Sequence, residues 1–235
     1  FSNSLVQYNN ITKTGYNGIY IKGGNTEITN NFINYACILL DDGAAIYTSG
    51  KSLTGLVFSG NIILNSGVSN SNARLAEGIY LDEFSANITV KNNSIANCLF
   101  AGIKNHKGNN NNITNNTCFN NGTGIFLQNS SSTANVINNL KINGNIFVAK
   151  DNKQIALRFY SLADDIPGFG NADYNYYLRP VDDNNVICTS SPSTGSKYRN
   201  LKEWQTFSRQ DLNSQKSPIP ISDTSEIFFY YNAFK

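Results

Sequence analysis

The chain carries a single histidine, His106, and several acids stand at comparable points along the sequence. His106 follows AGIKN, Asp82 and Glu83 follow GIYL, and Asp42 precedes GAAIYT, so each borders a short apolar run containing a small residue. An imidazole beside a carboxylate can move protons, and two carboxyl groups on one face supply the acid and base of glycoside cleavage. Glu77, two residues before Ile79, is a further acid of the same neighbourhood. Tyr47, Tyr80, Lys104 and Lys22 add ring faces and cations of the kind that hold sugars.

These residues can act together only if the chain brings them together, and a repeat does so. A small residue, an alternating apolar run, a polar turn, a second short run and an Asn pair recur from Gly18, Gly78, Ala101 and Gly122. The isoleucine after the small residue recurs at Ile19, Ile46, Ile79, Ile103 and Ile125, in steps of 27, 33, 24 and 22 residues. A second series, Asn10, Asn31, Asn61, Asn93, Asn116 and Asn145, keeps the same register. The apolar runs are strand-like and lack helical periodicity, so the fold expected is an all-β solenoid, a single-stranded parallel β-helix of at least six coils. With the motif isoleucines inward, Tyr20, Tyr47, Tyr80, Lys104 and Phe126 form one outward column. Lys22, Ser49, Asp82, His106 and Gln128 form a second.

On neighbouring coils ~4.8 Å apart, Asp82, Glu83, His106 and Lys104 share one patch flanked by Tyr47 and Tyr80. Asp42 and Asp82 would lie about 23 Å apart along a straight strand at ~3.3 Å per residue, too far for a shared reaction. Two clusters therefore stand as candidates: Asp42 with Glu77, and Asp82 with Glu83, His106 and Lys104. The segment Asn65 to Glu77 is the longest insertion and is expected to wall the strand face. A surface ion pair and a structural aromatic stack are the alternative readings of the second cluster. Turn hydrogen bonding is the alternative role for Asp41 and Asp42.

Charged residues make up 14% of the chain and the formal net charge is +2, without the basic clustering of a nucleic-acid partner. No apolar run reaches the ~20 residues of a membrane span. Cys37, Cys98, Cys118 and Cys188 form no CxxC pair and are read as free buried thiols. Coils are expected over residues 1–160, with an irregular segment over 161–235 packing on the last coils. Within that segment LKEWQTF predicts a short helix capped by Asn200 and lying as a lid over the last coil, and IFFYYNAFK reads as a terminal strand or the start of another module. Methionine is absent, and Phe1 opens directly into coil-like sequence, so preceding coils or a cap of the same protein are expected upstream.

DDGAAIYT, GIYLDEFSANITVKNN and AGIKNHKGNNNNITNN resemble the DGGAIYT, GIYLDD and HGG-type coils of bacterial right-handed β-helix proteins. These include pectate-lyase-like carbohydrate enzymes and β-helix glycoside hydrolases. NADYNYY, LKEWQ and DLNS are similar to the closing segment of many such proteins, so the resemblance runs from about Gly18 to Pro218. It implies a right-handed coil and a secreted, periplasmic or cell-surface protein of bacteria that handles a polysaccharide or oligosaccharide. By matched motifs Asp42 stands for the acid of the first signature, Asp82 and Glu83 for the paired acids of the second, and His106 for the histidine of the third. Glu83 and Phe84 replace the usual acid-glycine pair, and Lys107 replaces a glycine. The activity expected is glycoside hydrolysis, with no cofactor required and no metal assigned. The alternatives are a polysaccharide lyase, in which Lys104 or His106 is the base and Ca²⁺ enters, and a non-catalytic glycan-binding or structural β-helix.

Overall fold

The computed structural model describes residues 2–51 and 53–231. Among these the chain makes seven coils of three short strands, and each strand pairs in parallel with its copies on adjacent coils. The first coil comprises Leu5–Gln7, Asn10–Thr12 and Ile19–Ile21, and the fourth comprises Thr89–Lys91, Ser94–Ala96 and Ala101–His106. Three sheets run the length of the solenoid, one more than the two strand-like runs expected in each repeat. Parallel pairing continues past residue 160: Gly170–Asp173, Tyr176–Leu178 and Ile187–Ser191 form a seventh coil inside the segment expected to be irregular.

Most strands are three residues long and send one side chain inward. Ile28, Phe58, Val90 and Ile113 stack in the first sheet, and Ile33, Ile63, Ile95, Cys118, Phe147 and Tyr177 in the second. Ile46, Ile79, Ile103, Ile125 and Leu157 stack in the third. All of these are buried. Burying each aliphatic side chain contributes roughly 1.5–3 kcal/mol, so a few inward columns suffice to define the coil.

The turn between the first two sheets takes two residues. The first is left-handed: Asn30, Gly60, Asn92, Asn115 and Gly144 have φ between 55° and 68°, which those residue types tolerate. The second is the buried asparagine. Asn31, Asn61, Asn93, Asn116, Asn145 and Asn175 each hydrogen-bond to the next in the series, at 2.9–3.1 Å between side chains. The first member is Asn9, whose Nδ2 donates to Asn31 Oδ1 at 2.9 Å. Asn10 instead opens a strand opposite Phe32. The turn between the second and third sheets has no fixed length and absorbs the unequal repeat steps.

After the seventh coil the chain forms the antiparallel strand Gly195–Arg199 and the helix Leu201–Ser208. Asn200 caps that helix in a reciprocal box with Glu203. Trp204 is fully buried, stacks on Phe159 at 4.6 Å and donates its indole N–H to Asp211, so the helix closes the core as a lid. The terminal strand expected from IFFYYNAFK does not form over residues 227–231; Phe1 and residues 232–235 lie outside the described residues. Ile227, Phe229 and Tyr231 run back across the outer face of the second sheet, against Phe119 and Phe32. The four cysteines are buried and free, and burial pushes the Cys37 and Cys98 thiols up to about 12.

Candidate functional site

The third sheet carries the chemistry because its strands are longer, Gly43–Ser49 and Ala76–Asp82 having seven residues and Ala101–His106 six. Its alternation is broken once. Ala45 and Ile46 both face the core, as do Ala156 and Leu157. The corresponding Gly78 would place a Cβ 2.4 Å from Ile95 Cγ2, and Gly102 one 2.9 Å from Cys118 Sγ. This is why a small residue precedes each motif isoleucine: two successive positions point inward and only one can be large. The break also reverses the parity upstream, so Glu77 emerges on the outer face with Tyr80 instead of following Ile79 and Leu81 inward.

Downstream of the break, Asp82 and His106 meet as their column predicts. His106 Nδ1 lies 2.7 Å from Asp82 Oδ1, and Tyr47 donates its hydroxyl to Asp82 Oδ2 at 2.8 Å. The Glu83 amide donates to Asp82 Oδ1 at 2.8 Å. Burial pushes the Asp82 carboxyl upward, but the hydrogen bonds from His106 and Tyr47 outweigh it and hold it at about 2. A carboxylate offers no proton, so Nδ1 carries the hydrogen of that bond, and in the tautomer whose only proton sits there Nε2 is an acceptor. That nitrogen lies 2.7 Å from Ser130 Oγ. Ser130 is the residue that the sequence reading missed. It stands five positions after Ile125, one outward step beyond the two columns considered, and carries no motif of its own.

Glu83 is half exposed; its Oε1 pairs with Lys107 at 3.1 Å and lies 3.7 Å from His106 Nδ1. Both Glu83 and Phe84 have left-handed backbone, at φ 42° and 67°, where the matched motif has glycine at the second position. Lys51 and Lys107 pack over the Phe84 ring and offset that strain.

Lys104 does not join Asp82. Its ammonium lies 3.1 Å from Glu77 Oε1 and 4.1 Å from the centre of the Tyr80 ring. Glu77 is fully buried, and neither of its oxygens has a hydrogen-bond partner of good geometry. Desolvation raises its carboxyl to about 7, against the pull of Lys104 and with the negative potential of Asp42 and Asp41 assisting. Asp41 is a turn residue: its carboxylate accepts from the Arg74 and Leu75 amides at 2.9 and 2.7 Å and pins the inserted loop. Asp42 is exposed and faces a groove of about 340 Å³ together with Leu75, Tyr80, Phe100, Lys104, His106, Phe126 and Gln128. The groove thus takes Asp42 from one candidate cluster and Lys104 and His106 from the other, while Glu77, Asp82 and Glu83 do not line it.

The sugar-platform reading of the tyrosines changes. Tyr20, Tyr47 and Tyr80 do form a row, with centroids 5.3 and 5.4 Å apart and the rings tilted and edge-to-face rather than stacked, but Tyr80 is only 3% exposed beneath Lys104 and Tyr47 is committed to Asp82. Phe100 and Phe126 are the other rings on the groove wall. Lys22 lies over Tyr20 on the first coil and does not line the groove.

Ligand atoms of Asp82, Glu83 and His106 lie within 4.8 Å of one another. They do not suit the Ca²⁺ of a lyase, which takes 6–8 oxygens, because Asp82 is saturated by donors and the third group is an imidazole. A larger cavity, about 410 Å³, is lined by Lys153, Arg158 and Arg179 with no acid or histidine, so it holds no acid-base pair.

No curated protein and no solved structure matches the chain. A family model described as "Right handed beta helix region" matches residues 1–161, which fixes the hand of the coil. With the repeat, the three parallel sheets and that match in agreement, the chain belongs to the right-handed β-helix family.

Proposed function

We propose that the chain processes a polysaccharide by hydrolysing a glycosidic bond in the groove between Asp42 and Lys104. One observation carries this reading: Glu77, a carboxyl raised to about 7, is buried against Lys104, which lines an aromatic-walled groove together with the exposed acid Asp42. Gly43 pairs with Ala76 and Ala44 with Glu77, so Asp42 and Glu77 are one coil and two residues apart, about 8 Å between Cα atoms at ~4.8 and ~3.3 Å per step. Cα atoms at that spacing can bring carboxyl groups within the ~5–5.5 Å of retaining or the ~6.5–9.5 Å of inverting glycoside cleavage. Glu77, protonated near neutrality, donates to the leaving oxygen as Lys104 shifts off it, and Asp42 acts as base or nucleophile. The right-handed β-helix family includes polysaccharide-processing enzymes, which supports the substrate class. A bacterial protein of this kind meets its polymer outside the cytoplasm, so secretion, the periplasm or the cell surface is part of the proposal.

Xylan, pectin and algal-type polysaccharides incubated with the chain test it through release of reducing ends. Glu77→Gln and Asp42→Asn each lower turnover roughly 10²–10⁴-fold. Undiminished turnover in both variants overturns the assignment.

A lyase is the second reading, favoured by His106 and Lys104 on the groove wall and by Lys153 and Arg158 in the adjacent cavity, which suit a uronate polymer. It generates an unsaturated product that absorbs in the near ultraviolet, whereas hydrolysis does not. A binding module yields neither product.

A further inference from the structure

Asp82, His106 and Ser130 come from three consecutive coils and form one continuous chain of hydrogen bonds. Asp82 and His106 each stand three residues after their motif isoleucine, Ile79 and Ile103, and Ser130 stands five after Ile125. The carboxylate accepts from Nδ1–H at 2.7 Å, and Nε2 lies 2.7 Å from Ser130 Oγ, accepting from the hydroxyl in the tautomer whose only proton is on Nδ1. Each member is supported from behind. Tyr47 and the Glu83 amide fix Asp82. Buried Asn129 holds the turn that carries Ser130, accepting from the Ser131 amide at 3.0 Å and donating to the Thr133 carbonyl at 3.2 Å. His106 and Ser130 are both partly exposed, and His106 lines the groove. A lone surface pair needs no such support; a nucleophile aligned with its base does.

We infer that Ser130 is an acyl-accepting nucleophile, activated by His106 and oriented through Asp82, and that this centre cleaves O-acyl esters such as acetyl groups on sugar hydroxyls. Ser130 Oγ attacks the ester carbonyl carbon as its proton passes to His106 Nε2. The tetrahedral adduct collapses by breaking the bond to the sugar oxygen, which takes that proton and leaves as an alcohol. Water, deprotonated by His106, then attacks the acyl-serine, releasing the carboxylic acid and restoring the serine. Gln128, paired in register with His106 on the groove wall, presents the side-chain amide suited to the transient oxyanion. The activity is separate from glycoside hydrolysis and needs neither Asp42 nor Glu77.

The 235-residue chain is treated with a fluorophosphonate, which traps an activated serine with loss of fluoride, and is assayed in parallel with 4-nitrophenyl acetate. A single adduct on Ser130 is expected by peptide mass analysis. Ser130→Ala abolishes the adduct, and nitrophenol release falls by about 10³-fold or more. His106→Ala lowers release roughly 10²–10⁴-fold. Ser132→Ala, at an exposed serine two residues on, leaves both readouts intact, and far-ultraviolet circular dichroism verifies the fold of each variant. Absence of an adduct on the folded chain, or an adduct that persists in Ser130→Ala, overturns the assignment.

Discussion

Replacing Glu77 by Gln should flatten the dependence of stability on pH across the neutral range. The carboxyl titrates at 4.5 in the reference state and at about 7 in the fold, because it is fully buried with only Lys104 beside it. Below pH 4.5 it is protonated whether the chain is folded or not, and its full favourable contribution is present. Between 4.5 and 7 the unfolded chain gives up a proton that the folded chain keeps, so stability falls as pH rises. Above 7 the loss is complete. The interval from 4.5 to about 7, at about 1.4 kcal/mol per pH unit, corresponds to about 3 kcal/mol. Urea unfolding followed by circular dichroism at pH 5, 6, 7 and 8 measures it. The Gln side chain keeps the shape and removes the titration, so the variant's stability should vary less over this range by most of that amount. The slope is the quantity to compare, because the folded carboxyl is neutral below pH 7 and Lys104 has a counter-charge to lose only above it. Equal slopes in the two proteins would refute the reasoning.

Asp82 acts at the opposite end of the pH scale. Its carboxyl is held at about 2 rather than 3.8, so its contribution is intact above 3.8 and is lost as pH falls through 2. Allowing for solvent screening, Asp82→Asn should remove roughly 1–2 kcal/mol of the acid-side loss in unfolding between pH 4 and 2. Gly78→Ala drives a Cβ into Ile95 and the Gly102 carbonyl and should cost roughly 1–3 kcal/mol, read as a lower melting temperature. Asn93→Ala strips a partner from the Asn61 amide and from the Phe58 carbonyl, and should cost roughly 3 kcal/mol or more in urea unfolding.

The coil was legible because its determinants are periodic and local. Ile46, Ile79 and Ile103 mark one inward column, and the buried asparagines mark one turn, so both register and strand direction could be read from spacing. The limit at residue 160 was not legible. In the seventh coil Ala172 and Tyr177 replace the branched aliphatics of the inward columns, so the pattern weakens while the pairing persists. Alternation predicted the contact of Asp82 with His106 but sent Lys104 to the wrong acid. The pairing of Lys104 with Glu77 depends on the double inward step at the glycine row, which only a packed core reveals. Ser130 was invisible for a different reason: the first of three consecutive serines in a turn has no distinguishing neighbour in sequence, and its partner lies on another coil.

The asparagine ladder makes the solenoid a ruler. Because every coil is clamped to the next by the same amide pair, a side chain on the third sheet can be moved relative to another only in whole increments, one rung across or two residues along. Proton-transfer distances on this face are then chosen from a discrete set, and a coil inserted or deleted between Asp82 and Ser130 would leave a sound solenoid with its three groups out of reach of one another.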